Sequence, residues 1–176
     1  MQEAEVSLYI ALHYIRNGLT NENVKISIDG AHVKTKDKVH FDIYQFLKEH
    51  NCHKRDGDIE RWQGVYDIEG YAPKLEISSV PGIGDVNISL LSGKQLWIES
   101  KKGKANKRGQ EYVLMREAIG QLMTNEYVTK DVIPVVAVPY SDKSFALATK
   151  WSQLEQIRTM GICFFLVKDS GEIIEI

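Results

Sequence analysis

The chain is poor in cysteine: Cys52 and Cys163 are the only two in 176 residues. Two cysteines give no disulfide framework and point to a reducing compartment. No apolar run is long enough to span a bilayer, and the start carries no signal-peptide pattern. The expectation is a soluble, cytoplasmic protein with no membrane partner. Positive charge is not in excess either. Lys and Arg number 22 against 24 Asp and Glu, a formal net charge of -2. Nucleic-acid binding is therefore not advertised by global charge, and any basic footprint must be local. Internal repeats and low-complexity segments are also missing. What remains is ordinary for a globular chain, and its length suits one domain, residues 1–176, with a real core.

The pattern with most content runs from Gly84 to Lys101, GDVNISLLSGKQLWIESK. Val86, Ile88 and Leu90 alternate with polar residues, and so do Leu96 and Ile98. Each stretch reads as a strand with one apolar face. The apolar positions are even-numbered in both, so the faces merge only when paired numbers sum to an even value. A sum of 184 pairs Val86 with Ile98 and Ile88 with Leu96. It leaves Leu91-Ser92-Gly93 as a three-residue turn with Gly at the left-handed position. The same register sets Asp85 opposite Glu99 and puts Lys101 one step further along that face. Two carboxylates and an ammonium then converge at the open end of the hairpin. Like charges opposed on a bare sheet are destabilising. Converging oxygen ligands suit Mg²⁺, which takes one or two carboxylates, waters and substrate phosphate. A solvated face with an ordinary Glu99–Lys101 surface pair is the competing reading.

Around this hairpin the expected elements are as follows. Gln2 to Asn17 has helical spacing, with Glu5 at the edge of the apolar stripe, suited either to first-turn dipole complementarity or to a site at the helix start. Val24 to Lys38 reads as a hairpin turning at Asp29-Gly30, followed by a helix from Val39 to His50. His50, Cys52 and His53 lie close together but lack a fourth zinc ligand at a standard spacing. Trp62–Ile68 and Lys74–Ser78 read as strands. After the central hairpin, Lys101 to Gly109 carries five positive charges and no acid. Lys102, Lys104, Lys107 and Arg108 are thus candidates for phosphate contact, or members of a solvated loop. Gln110 to Thr129 is an expected helix, with Glu117 and Gln121 one turn apart on a flank. Val132 to Val138 reads as a strand buried on both faces. A helix follows, with Asp142 as its N-cap and Gly161 at its end, and then strands at Ile162–Val167 and Glu172–Ile176. The fold class is α/β, a mixed central sheet flanked by helices, with an N-terminal hairpin-helix elaboration.

Asp85, then Glu99-Ser100-Lys101, then a helix bearing Gln121, resembles the PD-(D/E)XK nuclease superfamily, the restriction-endonuclease-like fold. The string Glu117-Ala118-Ile119-Gly120-Gln121-Leu122 is similar to the helix after its second catalytic strand. Residues 1–17 and about 85–176 carry the likeness. Residues 20–80 match nothing beyond a substrate-specific elaboration, and Gly84 stands where the motif has Pro. The resemblance implies metal-dependent hydrolysis of phosphodiesters, in DNA before RNA and as an endonuclease before an exonuclease. Restriction, repair or recombination would use it. It implies Mg²⁺ or Mn²⁺ on Asp85, Glu99 and the Ser100 carbonyl. Lys101 would act on the attacking water, Glu5, with Glu3 as its rival, on a second metal through water, and Gln121 on Lys101 or a phosphate. Cleavage of both strands would favour a homodimer. A catalytically silent nucleic-acid-binding module of the same fold, or an interaction subunit of a larger defence or repair assembly, are the other classes.

Overall fold

The computed structural model describes residues 1–56, 60–81, 84–103 and 109–176, with backbone alone at residue 32. Its centre is a mixed sheet of nine strands. In chain order these are β1 (Val24–Ser27), β4 (Cys52–Lys54), β5 (Gly64–Ile68), β6 (Leu75–Ser78), β7 (Val86–Ser89), β8 (Gln95–Ser100), β9 (Val132–Pro139), β10 (Cys163–Val167) and β11 (Ile173–Glu175). The strands lie side by side as β11-β10-β9-β8-β7-β1-β6-β5-β4. β8, β9 and β10 run parallel, and β7 is antiparallel to both β8 and β1. A separate two-stranded ribbon joins β2 (Lys34–Thr35) to β3 (Lys38–Val39). The coarse class expected from the sequence, mixed α/β with helices on a large central sheet, is what the chain adopts.

The two faces of the sheet are closed differently. Helix α1 (Glu3–Arg16) covers one face. Its Leu8, Ile10, Leu12 and Ile15 meet Val24, Ile26, Val86, Ile88, Leu96 and Ile98 in one continuous core that also takes in Leu75 and Ile77. Helix α4 (Gln110–Thr124) covers only part of the opposite face. Its Met115, Ala118 and Leu122 pack on Trp97, Val136, Val138 and Phe164, together with Ala148 and Trp151. β9 therefore divides its side chains between both cores, Val135 and Ala137 into the first and Val136 and Val138 into the second. That is the continuous apolar run of a strand buried on both sides.

Several local expectations change. Val24–Ser27 is no hairpin arm. It lies inside the sheet, parallel to β6 and antiparallel to β7. Asp29-Gly30 is no hairpin turn, because the Asp29 carboxylate accepts from Ala31 N at 2.9 Å and starts the short helix α2 (Gly30–Val33). An Asp before a Gly satisfies an N-terminus as readily as it makes a type I′ turn. The expected elaboration, residues 20–80, is accordingly part of the central sheet through β1, β4, β5 and β6, with α3 (Ile43–Glu49) packed against β4. Further on, Ser141 and not Asp142 caps the next helix, accepting from Ser144 N at 3.0 Å. The helical stretch breaks into α5 (Asp142–Trp151) and α6 (Glu155–Met160), and Gly161 ends it at φ +68°.

Candidate metal and phosphodiester site

The β7–β8 register has the expected sum of 184: Val86 pairs with Ile98, Asn87 with Trp97, Ile88 with Leu96. Leu90 N donates to Lys94 O at 2.8 Å, and Gly93 closes the turn at φ +83°. At the other end, Asp85 N donates to Ile98 O at 3.0 Å. The Asp85 carboxylate accepts from Ser100 N at 2.7 Å, a short bond to an ionisable acceptor. Asp85 and Glu99 line one cavity of about 790 Å³, together with Gln121, Asn125 and Tyr127 from the end of α4. The structure thus brings Asp85, Glu99 and Gln121 to a shared wall.

Burial sets the electrostatics. Glu99 is 7% exposed, Ser100 0% and Lys101 5%, unusual values for two charged residues in three. Loss of water raises both acids to about 7. For Glu99 the next cause is Asp85; for Asp85 it is Glu3. Lys101 acts in the opposite sense on all three acids. Its ammonium lies 3.5 Å from the Glu117 carboxylate on α4. One buried amine thus faces a surplus of carboxylates, with Glu99 buried and Asp85 and Glu3 partly so.

Glu5, expected at the site, is turned onto its own helix end instead. Its carboxylate accepts from Gln2 N at 3.0 Å as half of a capping box. Glu3 is the acid of α1 that faces the hairpin mouth. Burial raises its pKa first of all, with Lys101, Lys102, Glu117 and Glu99 as its charged neighbours. It lines a small cleft with Ser7 and Asp85. Helical geometry separates positions 3 and 5 by about 200°, so only one of them can face the sheet. Ser100 turns its hydroxyl to α1, where Ser7 Oγ donates to it at 2.9 Å. Lys102 is half-buried beside Glu3, whereas Lys104, Lys107 and Arg108 lie outside the described residues. Cys52 is buried in the core, and His50 packs on Tyr9 and Phe46.

Gly84 explains a departure from the expected motif. It holds φ +72°, which proline cannot adopt, and a Cβ there would overlap the Trp97 indole. The indole and the glycine fit each other beside the acid pair. Trp97 stacks in turn on Tyr127, with ring centroids 5.7 Å apart. Sequence reasoning ranked Glu5 ahead of its rival Glu3 and missed the Trp97–Tyr127 pair as cavity wall. The signal for Trp97 was present, since it stands two residues before Glu99 on the same strand and so on the same face.

No family model, curated protein or solved structure matches the chain. The chemistry must be argued from the donor set itself. Among the described residues no three His, Cys, Asp or Glu side chains form a metal-binding group. Mg²⁺ needs less protein: one or two carboxylates, with water and phosphate completing its octahedron. Asp85 and Glu99 meet that need, and their surplus charge gives a divalent cation something to neutralise. The residues fit a hard cation.

Proposed function

We propose that the protein is a metal-dependent nuclease of the PD-(D/E)XK type, hydrolysing phosphodiester bonds in DNA. The observation that carries this reading is the single cavity wall shared by Asp85 and Glu99, with Lys101 buried next to them. The finer fold assignment, restriction-endonuclease-like, rests on that motif and on the order of elements from Asp85 onward.

Asp85 and Glu99 would hold Mg²⁺ or Mn²⁺, with the Ser100 carbonyl as a further ligand. When bound, the ion supplies Lewis-acid stabilisation of charge on the phosphate and acidifies a water. The chain's own residues do the rest. Ser100 N–H fixes the Asp85 carboxylate to the adjacent strand. Lys101, steadied by Glu117, offers a positive charge where negative charge grows and a donor for the attacking water. Burial of Glu99 and Lys101 keeps these groups from being screened by solvent. Gln121 reaches the cavity from the exposed flank of α4, placed to bond a phosphate oxygen. Glu3 takes the role first expected of Glu5.

The cavity wall carries Asp29, Asp85, Glu99 and Glu126 and no Lys or Arg among its described residues. A polyanion would be repelled until cations enter. Lys102 and the basic segment beyond it would supply part of that charge.

Plasmid cleavage tests the reading. Wild-type protein is incubated with Mg²⁺, with Mn²⁺ and with EDTA, beside Lys101→Ala. Nicking or linearisation lost both in EDTA and in the variant supports hydrolysis at this site. DNA binding without cleavage in any metal would establish a silent binding module instead, and neither binding nor cleavage an interaction subunit.

A further inference from the structure

The sheet face beyond the acid pair is left open. Lys25 pairs with Asn87 and Asn87 with Trp97, one row across three strands on the side that α4 covers only in part. A second cavity of about 530 Å³ lies along this row, and Glu22, Lys25, Asn87, Gln95, Trp97 and Tyr127 are among the residues that line it. Tyr127 belongs to both cavities, so its ring is the ridge between the acid pair and the polar groove.

The ridge is built. Asn125 closes α4 and accepts from Tyr127 N at 2.9 Å through its side chain, which fixes the backbone that carries the ring. The ring lies nearly parallel to the Trp97 indole, 20° between planes. Trp97 is 8% exposed, while Tyr127 remains 54% exposed. Simple cover for Trp97 would account for one face of the tyrosine. It does not account for an aromatic left half in water between a phosphate-type site and a groove of amides and hydroxyls. Stacked aromatics with one open face are what nucleobases bind, at roughly 1–3 kcal/mol per base. Bases inside a duplex are already stacked, so only an unpaired or extruded base can use such a surface.

We propose that Tyr127, backed by Trp97, is a stacking platform for an unpaired base next to the phosphate held at Asp85 and Glu99. The strand then continues over Lys25, Asn87 and Gln95. The substrate is nucleic acid with a single-stranded stretch at the cut. This deepens the nuclease reading and rests on it.

The test compares binding of two labelled oligomers of about 20 nucleotides in Ca²⁺: single-stranded oligo-dT, and its abasic counterpart with the same phosphates. Wild type should bind the base-bearing strand about 5- to 150-fold more tightly. Tyr127→Ala should erase that difference, and Tyr127→Phe should keep it. A merely structural role for Tyr127 would weaken both oligomers equally. Where Tyr127→Ala melts early, Tyr127→Leu replaces it, keeping apolar cover over Trp97 without a ring. Equal affinity of wild type for the two oligomers, alongside plasmid cleavage, overturns the platform and leaves the nuclease reading standing. Base-dependent binding that needs Tyr127, with no cleavage in any metal, supports the platform and removes hydrolysis. No binding of either oligomer overturns the platform, and plasmid cleavage then decides the nuclease reading by itself.

Discussion

The two ends of the β7–β8 hairpin are built to opposite standards. Both end in a glycine at positive φ, Gly93 at the tip and Gly84 at the mouth. At the tip nothing lies within 4 Å of where a Cβ would stand, and Leu91 is exposed. At the mouth the Trp97 indole fills that space, and Glu99, Ser100 and Lys101 are buried. The tip needs only a backbone conformation. The mouth needs conformation, close approach and charge balance together. Buried ionisable groups in excess of their partners are costly to a fold, which is why such sites mark function more often than stability.

The sharpest way to break this contrast is Lys101→Ala. Removing the mouth's buried amine should lower cleavage by about 10²- to 10³-fold, read as initial rate of plasmid nicking. Cleavage at the wild-type rate would show that the amine only balances charge. Next in size is Gly84→Ala, which must strain the backbone and displace the indole. It should cost about 2–4 kcal/mol in denaturant unfolding. A loss below 1 kcal/mol would mean that Trp97 can swing aside.

Titration comes third. Both acids at the mouth are raised by burial, to about 7. Their protonated forms are favoured in the folded state, so the stability they contribute is full below the unfolded carboxylate range near pH ~4. It is lost as pH rises through about 7. The melting temperature of metal-free protein should therefore fall across that window and level off above it. Mg²⁺ should restore it at pH ~8 and do little at pH ~5. A flat melting profile, or one unchanged by Asp85→Asn with Glu99→Gln, would contradict the buried surplus of charge. Smallest is Gly93→Ala at the tip, about 1 kcal/mol of backbone strain with cleavage untouched.

Legibility followed the same division between local and distant causes. The hairpin register was readable because two local signals combine: the parity of Val86, Ile88, Leu96 and Ile98 admits even sums, and the three-residue turn ending at Gly93 selects 184. β9 and β10 were readable from unbroken apolar runs. β1 was not, because its partners β6 and β7 lie some fifty and sixty residues on, and four residues of alternation do not name a neighbour. The Asp29-Gly30 pair misled because a cap and a turn use the same two residues. Glu3 and Glu5 both suit a first helical turn. Only the docking of α1 on the sheet separates the acid that faces the mouth from the one that caps. Trp97 and Tyr127 meet through tertiary packing that no spacing encodes.

The bond from Ser100 N–H to Asp85 has one more implication. It ties an acid at the end of one strand to the backbone of the next, so the hairpin works as a ruler. Its length is set by the buried row of Val86, Ile88, Leu96 and Ile98, which admits only shifts of two residues without turning polar side chains into the core. An added residue at the exposed tip is taken up by the loop, whereas a two-residue slip along the core face would keep both acids on the α4 side and still part Asp85 from the Ser100 N–H. The apolar face thus holds the candidate ligands in step from the opposite side of the sheet.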